Sequence, residues 1–272
     1  MIYKKGSESG MKILYLNVNG FFGDSSIKTI LGEKNMFYKV RDYRKAERNK
    51  IISRLLVKKL NSQEESYDMI FLSEIDPHSE ATMELKKTME NNNYTYILPN
   101  AMDEKSGVEE GKFSITVAFI KNEHLEEWLN NKKSNESMKS LTEPQKGKGW
   151  LQICEIGGKS NNKILLAGLH ATGGLLYDLA NTKKYDGDFI IFGDFNVNPK
   201  KKESEEKFKK IIENLSAEEV IDKDKKNTFI GGTKVDRVIT KNVKGVILRV
   251  DESYYTEGLS DHAALIIDID EP

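Results

Sequence analysis

Apolar runs too short to be helices recur through this chain, and several of the longest stop on a polar side chain. KILYLNV (12–18), YDMIFLSE (67–74), KILLAGLH (163–170) and FIIFGDFN (189–196) each carry a continuous apolar stretch and then an amide, a carboxylate or an imidazole. A run of this kind reads as a buried strand. In FIIFGDFNVNP the strand gives way, behind a glycine, to Asp194 and Asn196 set two apart. A buried strand gains nothing in packing from ending on those groups, so their purpose has to be sought elsewhere.

Further runs read as strands: YTYILP, FSITVAFI and LQICEI in the middle of the chain, and KVDRVIT, GVILRV and AALIIDID at its end. Between them lie helical patterns. In RDYRKAERNKIISRLLVKKLN, Ile52, Leu55, Leu56 and Leu60 recur at helical spacing while Lys and Arg fill the other faces. DPHSEATMELKKTMENN opens on Pro and acidic groups, as a helix N-terminus does. LLYDLANTKK is a short helical stretch, and KKESEEKFKKIIENL sets Phe208, Ile211, Ile212 and Leu215 on one side. The polar segment 130–149 reads as a mobile loop. Strands alternate with helices early and dominate late, which predicts a mixed sheet, or a pair of sheets, with helices outside.

A chain of 272 residues can bury a large core in one domain. Residues 11–272 read as that domain, and 1–10, polar and Gly/Ser-containing, as a flexible leader. Cys154 is the only cysteine, which excludes an intramolecular disulfide or a zinc–cysteine cluster and fits a reducing, cytoplasmic setting. No apolar run reaches 18 residues and no secretory leader is visible. Lys and Arg (42) nearly balance Asp and Glu (43), so any affinity for nucleic acid would have to come from a local patch.

Taken singly, the polar residues at the strand ends have ordinary explanations. Asp194 follows a glycine, as turn residues do. Glu74 reads as a solvated strand end, His170 as a hydrogen-bonded core edge, and Ser260-Asp261-His262 as a polar turn. Asn17 and Asn19 precede Gly20, which again fits a turn. Their joint occurrence beside Asp236 in KVDRVIT points instead to chemistry, because α/β folds place their sites at strand ends.

LNVNG, FLSE, GLH, GDFN, KVDRVI and SDH, in that order from about Lys12 to the C-terminus, resemble the endonuclease/exonuclease/phosphatase superfamily, the deoxyribonuclease I-like fold. The resemblance implies a four-layer α/β sandwich, with two mixed β-sheets packed face to face and outer helices. It also implies a hydrolase of phosphate esters dependent on Mg2+ or Mn2+. By similarity Glu74 is the principal metal ligand, with Asn19 and Asp261 close to the same ion. Asp194 positions or deprotonates the water, Asn196 holds the phosphate or nucleophile, Asp236 orients His262, and Asn17 supports the network. Thr228, in NTFIGG, is a phosphate-contact candidate. His170 at this place is similar to the deoxyribonuclease I and sphingomyelinase-like branches and suits protonation of a leaving oxygen.

Three departures from the family pattern stand out. The stretch between His170 and Asp194 is short, no GYSG-like strand precedes SITVAFI, and the span between Asn19 and Glu74 is long. The second leaves the carboxylate partner of His170 unassigned, with Glu109 and Glu110 as guesses. The long span makes a basic helical insertion at about 24–60: from Lys34 to Lys59 ten Lys/Arg face only Asp42 and Glu47, a net of +8, with Tyr38 and Tyr43 among them. Arg44, Lys45 and Arg48 are its candidates for contact with a phosphate backbone; the competing reading is a solvated helix face. The favoured function is a DNA endonuclease. The alternatives are a hydrolase of a small phosphate ester (nucleotide, inositol phosphate or phospholipid head group) and a catalytically silent module that binds nucleic acid or a protein. No protein partner is evident from the sequence.

Overall fold

The computed structural model describes residues 10–21, 41–62, 66–99, 115–124, 152–157, 163–171, 179 and 187–270; within these, the side chains of 41–46, 152–157 and Lys163 are not described. The leader at 1–9, the loop at 130–149 and nearly all of LLYDLANTKK lie outside that set.

Among the described residues, eleven strands form two sheets. In chain order they are β1 (Met11–Asn17), β2 (Met69–Ile75), β3 (Tyr94–Ile97), β4 (Ile115–Lys121), β5 (Gln152–Gly157), β6 (Lys163–His170), β7 (Asp188–Asp194), β8 (Glu218–Val220), β9 (Asp236–Lys241), β10 (Val246–Asp251) and β11 (Ala264–Ile269). One sheet has the order β10-β11-β1-β2-β4-β3, the other β5-β6-β7-β9-β8. Both are mixed: β1 runs parallel to β2 and β6 to β7, while the other pairs are antiparallel. The helices are α1 (Arg41–Ser62), α2 (Glu80–Asn91), α3 (Lys202–Leu215) and the single turn α4 (Ser253–Thr256).

Side-chain alternation along the central strands builds the layers. Ile13 and Tyr15 of β1 face the second sheet and meet Ile190 and Phe192 of β7, whereas Leu14 and Leu16 face outward beneath Ile52 and Leu56 of α1 and Leu85 of α2. On the far side, Phe189 and Ile191 carry Phe208, Ile211 and Leu215 of α3. The sheets close tightly. A Cβ on Gly168 would come within 2.6 Å of the Phe71 ring, which itself meets Phe192 edge-on at 4.9 Å. Two mixed sheets face to face with outer helices are the four-layer sandwich expected from the sequence.

Helix boundaries follow local chemistry. Ser79 caps α2 by accepting the Thr82 N–H at 3.2 Å, the usual N-cap bond. In α1, Ile52, Leu56 and Leu60 are buried as expected, but Leu55 is 42% exposed. The inward position one turn above Leu56 goes to Ser53, whose hydroxyl donates to the Ala81 carbonyl of α2. The edge strand β8 carries no apolar run and escaped sequence reading.

Candidate active site

Register brings the polar strand ends together. His170 lies opposite Asp194 in the β6–β7 pairing, and Asp194 opposite Asp236 in the β7–β9 pairing, so one rung across the second sheet presents all three on one face. In the first sheet Asn17 pairs with Ser73, and Glu74 follows. There β2 breaks its regular pairing with β4 between Leu72 and Ile75, and Glu74 takes a φ of 56°. A long carboxylate side chain has no local reason for a left-handed backbone, and such strain gathers at functional sites. The break aims Glu74 at the second sheet. Asn19 (φ 47°) and Asn196 (φ 51°) share that conformation, which asparagine tolerates more readily.

Asn17, fully buried, joins the sheets: its Nδ2 donates to Glu74 Oε1 at 3.1 Å and to Asp194 Oδ2 at 3.2 Å. Its Oδ1 accepts the Asn19 N–H, and its carbonyl accepts the Ser260 hydroxyl. Asn196 donates its backbone N–H to Asp194 Oδ1 at 2.6 Å and its side-chain amide to the Ala171 carbonyl. Because that carbonyl can only accept, the Asn196 NH2 also faces His170 Nε2, 3.0 Å away. Nε2 is in turn 3.2 Å from Glu74 Oε1 and 3.6 Å from Asp194 Oδ2. On the other flank, Asp236 Oδ2 holds His262 Nδ1 at 2.8 Å, leaving Nε2 between Asp194 Oδ2 (3.9 Å) and Asp261 Oδ1 (3.8 Å). The edge of the Phe229 ring packs on that imidazole.

The cluster is rich in buried negative charge. Burial, with Asp236 nearby, pushes the Asp194 carboxyl up to about 6, even though both histidines pull it down. Burial also raises Asp261, with Glu74 adding to the effect and His262 and Asn19 opposing it. For His262 burial disfavours the charge, but Asp236 beside Nδ1 outweighs it, and the imidazole is raised to about 10. Asp236 Oδ1 and Asp261 Oδ1 are buried without a hydrogen-bond partner among the described residues. Hard oxygen donors converging with too few protons between them suit a divalent cation of the Mg2+ or Mn2+ class. The other described group with ligand-like spacing, Asp68, Glu123 and His124, already holds the Lys121 ammonium 3.3 Å from Asp68 Oδ1.

No protein-family model matches the chain, and no curated protein matches it. Solved structures do. An endonuclease/exonuclease/phosphatase family protein from Leptotrichia buccalis superposes with a TM-score of 0.53 at 16% identity, covering 95% of this chain and 99% of that one. The AP endonuclease LMAP from Leishmania major gives 0.57 at 12% identity, covering 98% and 90%. Beta toxin from Staphylococcus aureus, an F277A, P278A mutant with bound magnesium ions, gives 0.51 at 14% identity, covering 96% and 99%. The chain has the endonuclease/exonuclease/phosphatase fold.

Within that fold, Asn17, Asn19, Glu74, His170, Asp194, Asn196, Asp236, Asp261 and His262 all converge on one end of the two sheets. Thr228 is buried, and its Oγ1 accepts the N–H groups of Val235 and Asp236, which makes it a support of the Asp236 backbone. The basic helix α1 is not an open cationic stripe over its described side chains. Lys50 pairs with Glu80, Arg54 with Glu84 at 2.7 Å and Lys59 with Glu257 at 2.7 Å, so acids of α2 and of the turn after α4 offset three of its charges. The side chains of Arg44 and Lys45 and residues Glu109 and Glu110 lie outside the described ones; Arg48 is half-buried. Sequence reasoning missed Tyr15, Ser73 and Phe229, each a residue with an ordinary role in a strand or turn.

Proposed function

We propose that this chain is a divalent-metal-dependent phosphoesterase and that it cleaves phosphodiester bonds of nucleic acid, with endonucleolytic cleavage of DNA as the favoured reaction. The observation that carries the reading is the meeting of Glu74 and Asn17 from one sheet with His170, Asp194 and Asp236 from the other, with His262 clamped to Asp236. A packing role needs no such accumulation of buried charge, and a silent binding module has no use for it.

Glu74 would hold the ion with help from Asn19 and Asp261; when bound, the ion supplies positive charge to a non-bridging phosphate oxygen. The remaining tasks fall to the chain's own groups. Asp194, fixed through Oδ1 by the Asn196 N–H and through Oδ2 by the Asn17 amide, would use the remaining lone pair of Oδ2 to orient a water and take its proton. Charged His262 points Nε2–H into the opening, where it would donate to the phosphate oxygens as charge builds on them. His170 stands where a proton could be delivered to the departing oxygen. Its Nδ1 is buried without a hydrogen-bond partner among the described residues, and the carboxylate nearest the ring is Glu74, whose Oε1 lies 3.2 Å from Nε2. The Asn196 amide lies 3.0 Å from the same nitrogen.

A second reading, a hydrolase of a small phosphate ester, draws on the pairing of Lys50, Arg54 and Lys59 with acids, which removes part of the charge that a nucleic-acid backbone would meet. Incubation with Mg2+ or Mn2+ and plasmid, single-stranded DNA, abasic duplex, RNA, cyclic nucleotides and inositol phosphates separates the two. Cleavage within plasmid or duplex supports the first, and turnover of small esters alone replaces it with the second. No turnover of any of them removes the phosphoesterase reading.

A further inference from the structure

Behind the charged groups lies a single hydroxyl. Tyr15 of β1 is fully buried between the sheets, and its OH makes three hydrogen bonds. It donates to the Leu169 carbonyl at 2.9 Å, the only direction a carbonyl allows. The two remaining bonds must then be accepted, and a phenol oxygen can accept both. They come from the Asp194 backbone N–H at 3.0 Å and the Ser73 hydroxyl at 2.6 Å.

The partners matter because of where they sit in the chain. Ser73 precedes Glu74, Leu169 precedes His170, Asp194 is itself in the site, and Tyr15 stands two residues before Asn17 on the same face of β1. One oxygen therefore touches the strands that deliver Asn17, Glu74, His170 and Asp194, two from each sheet. Nothing in ordinary sheet pairing locks one sheet against the other, because apolar side chains at the interface are non-directional. Close to this node the strands also approach unusually: Gly193 has a φ of 135°, and a Cβ there would lie 2.1 Å from the Leu169 oxygen.

We propose that Tyr15 is a positioning residue, whose hydroxyl sets the alignment of the two sheets' halves of the active site by anchoring the backbone of Asp194 to the strands carrying Glu74 and His170. The inference rests on the phosphoesterase reading for its catalytic consequence, but not for its structural one. Phe at this position would keep the ring's packing and lose all three bonds.

The test compares Tyr15→Phe with Ile267→Ala, which opens the same interlayer core away from the node. Thermal midpoint, Mn2+ affinity by electron paramagnetic resonance without substrate, and kcat and KM on whichever ester the wild type hydrolyses are measured for each. Loss of a group that holds a metal ligand or its neighbour typically costs about 10- to 100-fold in affinity or activity. Tyr15→Phe is expected to lose kcat or Mn2+ affinity on that order with KM within about twofold, while Ile267→Ala loses at least as much in midpoint and keeps both. Equal behaviour of the two variants overturns the proposal. If the wild type hydrolyses nothing, the phosphoesterase reading fails, and Mn2+ affinity alone decides: weakened by Tyr15→Phe it supports the positioning role, unchanged it overturns it. Should Tyr15→Phe not fold, Ser73→Ala removes one of the three bonds. A smaller loss in the same direction supports the proposal, and wild-type values overturn it.

Discussion

Nδ1 of His262 donates to Oδ2 of Asp236 across 2.8 Å, and the two residues come from opposite sheets: Asp236 opens β9, and His262 stands just before β11. The bond orients the ring and favours its charge, leaving Nε2 toward the site. Removing a positioned acid or base costs roughly a hundredfold to ten-thousandfold in rate. His262→Ala is expected to lose turnover on that order with an unchanged circular dichroism spectrum, and Asp236→Asn to lose activity as well. Groups acting as a unit do not add, so the double variant should be little worse than His262→Ala. Steady-state kinetics on the four proteins of this cycle would contradict the pairing if the losses multiplied.

The same bond predicts a loss of stability in alkali. The His262 imidazole is raised from 6.5 to about 10 in the folded protein. A group raised in this way contributes stability that is complete below its unfolded value and disappears as pH rises through its folded value. The metal-free protein should therefore lose this contribution between about pH 6.5 and 10, and Asp236→Asn should shrink the fall. Denaturant midpoints across that window check the sign; a flat profile for the wild type, or the same fall in both proteins, would refute it.

Asp194 behaves oppositely in its charge. Its carboxyl, raised from 3.8 to about 6 chiefly by burial, is ionised at a cost to stability that is absent below pH 3.8, grows between about pH 3.8 and 6, and is complete above that. A cation beside it favours the ionised form. Carboxyl carbon resonances should titrate near pH 6 without metal and move to lower pH with Mg2+. A midpoint near 3.8 in the metal-free protein would count against this.

Glu74 is expected to set the metal response. Since Glu74, Asp194 and Asp261 gather charge that a divalent ion would neutralise, Mg2+ or Mn2+ should raise the thermal midpoint with the logarithm of its concentration once that exceeds the dissociation constant. Chelator should abolish activity. Glu74→Gln is expected to lose the metal-dependent rise while folding normally without metal. Full activity in excess chelator would remove the metal from the mechanism.

Charges on α1 divide into two groups. Lys50 and Arg54 face acids of α2, so reversing both to Glu should lower the thermal midpoint. Reversing Arg44, Lys45 and Arg48 should weaken nucleic-acid binding and flatten its salt dependence if this segment meets a phosphate backbone. Binding titrations at several salt concentrations decide it, and an unchanged slope would leave α1 as a solvated face.

The sequence by itself determined the strands other than β8, most of the helices, and the polar residues that end the strands, because an apolar run and the group that stops it are neighbours in the chain. Asp194 and Asn196 after FIIFG needed no partner to be noticed. Tertiary structure decided which of these groups meet. The rung His170–Asp194–Asp236 depends on the register of three strands, and the Asn17 bridge on how two sheets stack. Both are long-range quantities that a local pattern does not carry. The left-handed backbone of Glu74 arises where β2 departs from β4, and nothing in FLSE marks it. Tyr15 reads as one more core aromatic until its hydroxyl is placed against Asp194. The charges of α1 were visible from the start, but the acids that meet Lys50, Arg54 and Lys59 lie on α2 and after α4, so only packing could show that part of a basic run in sequence is paired in space.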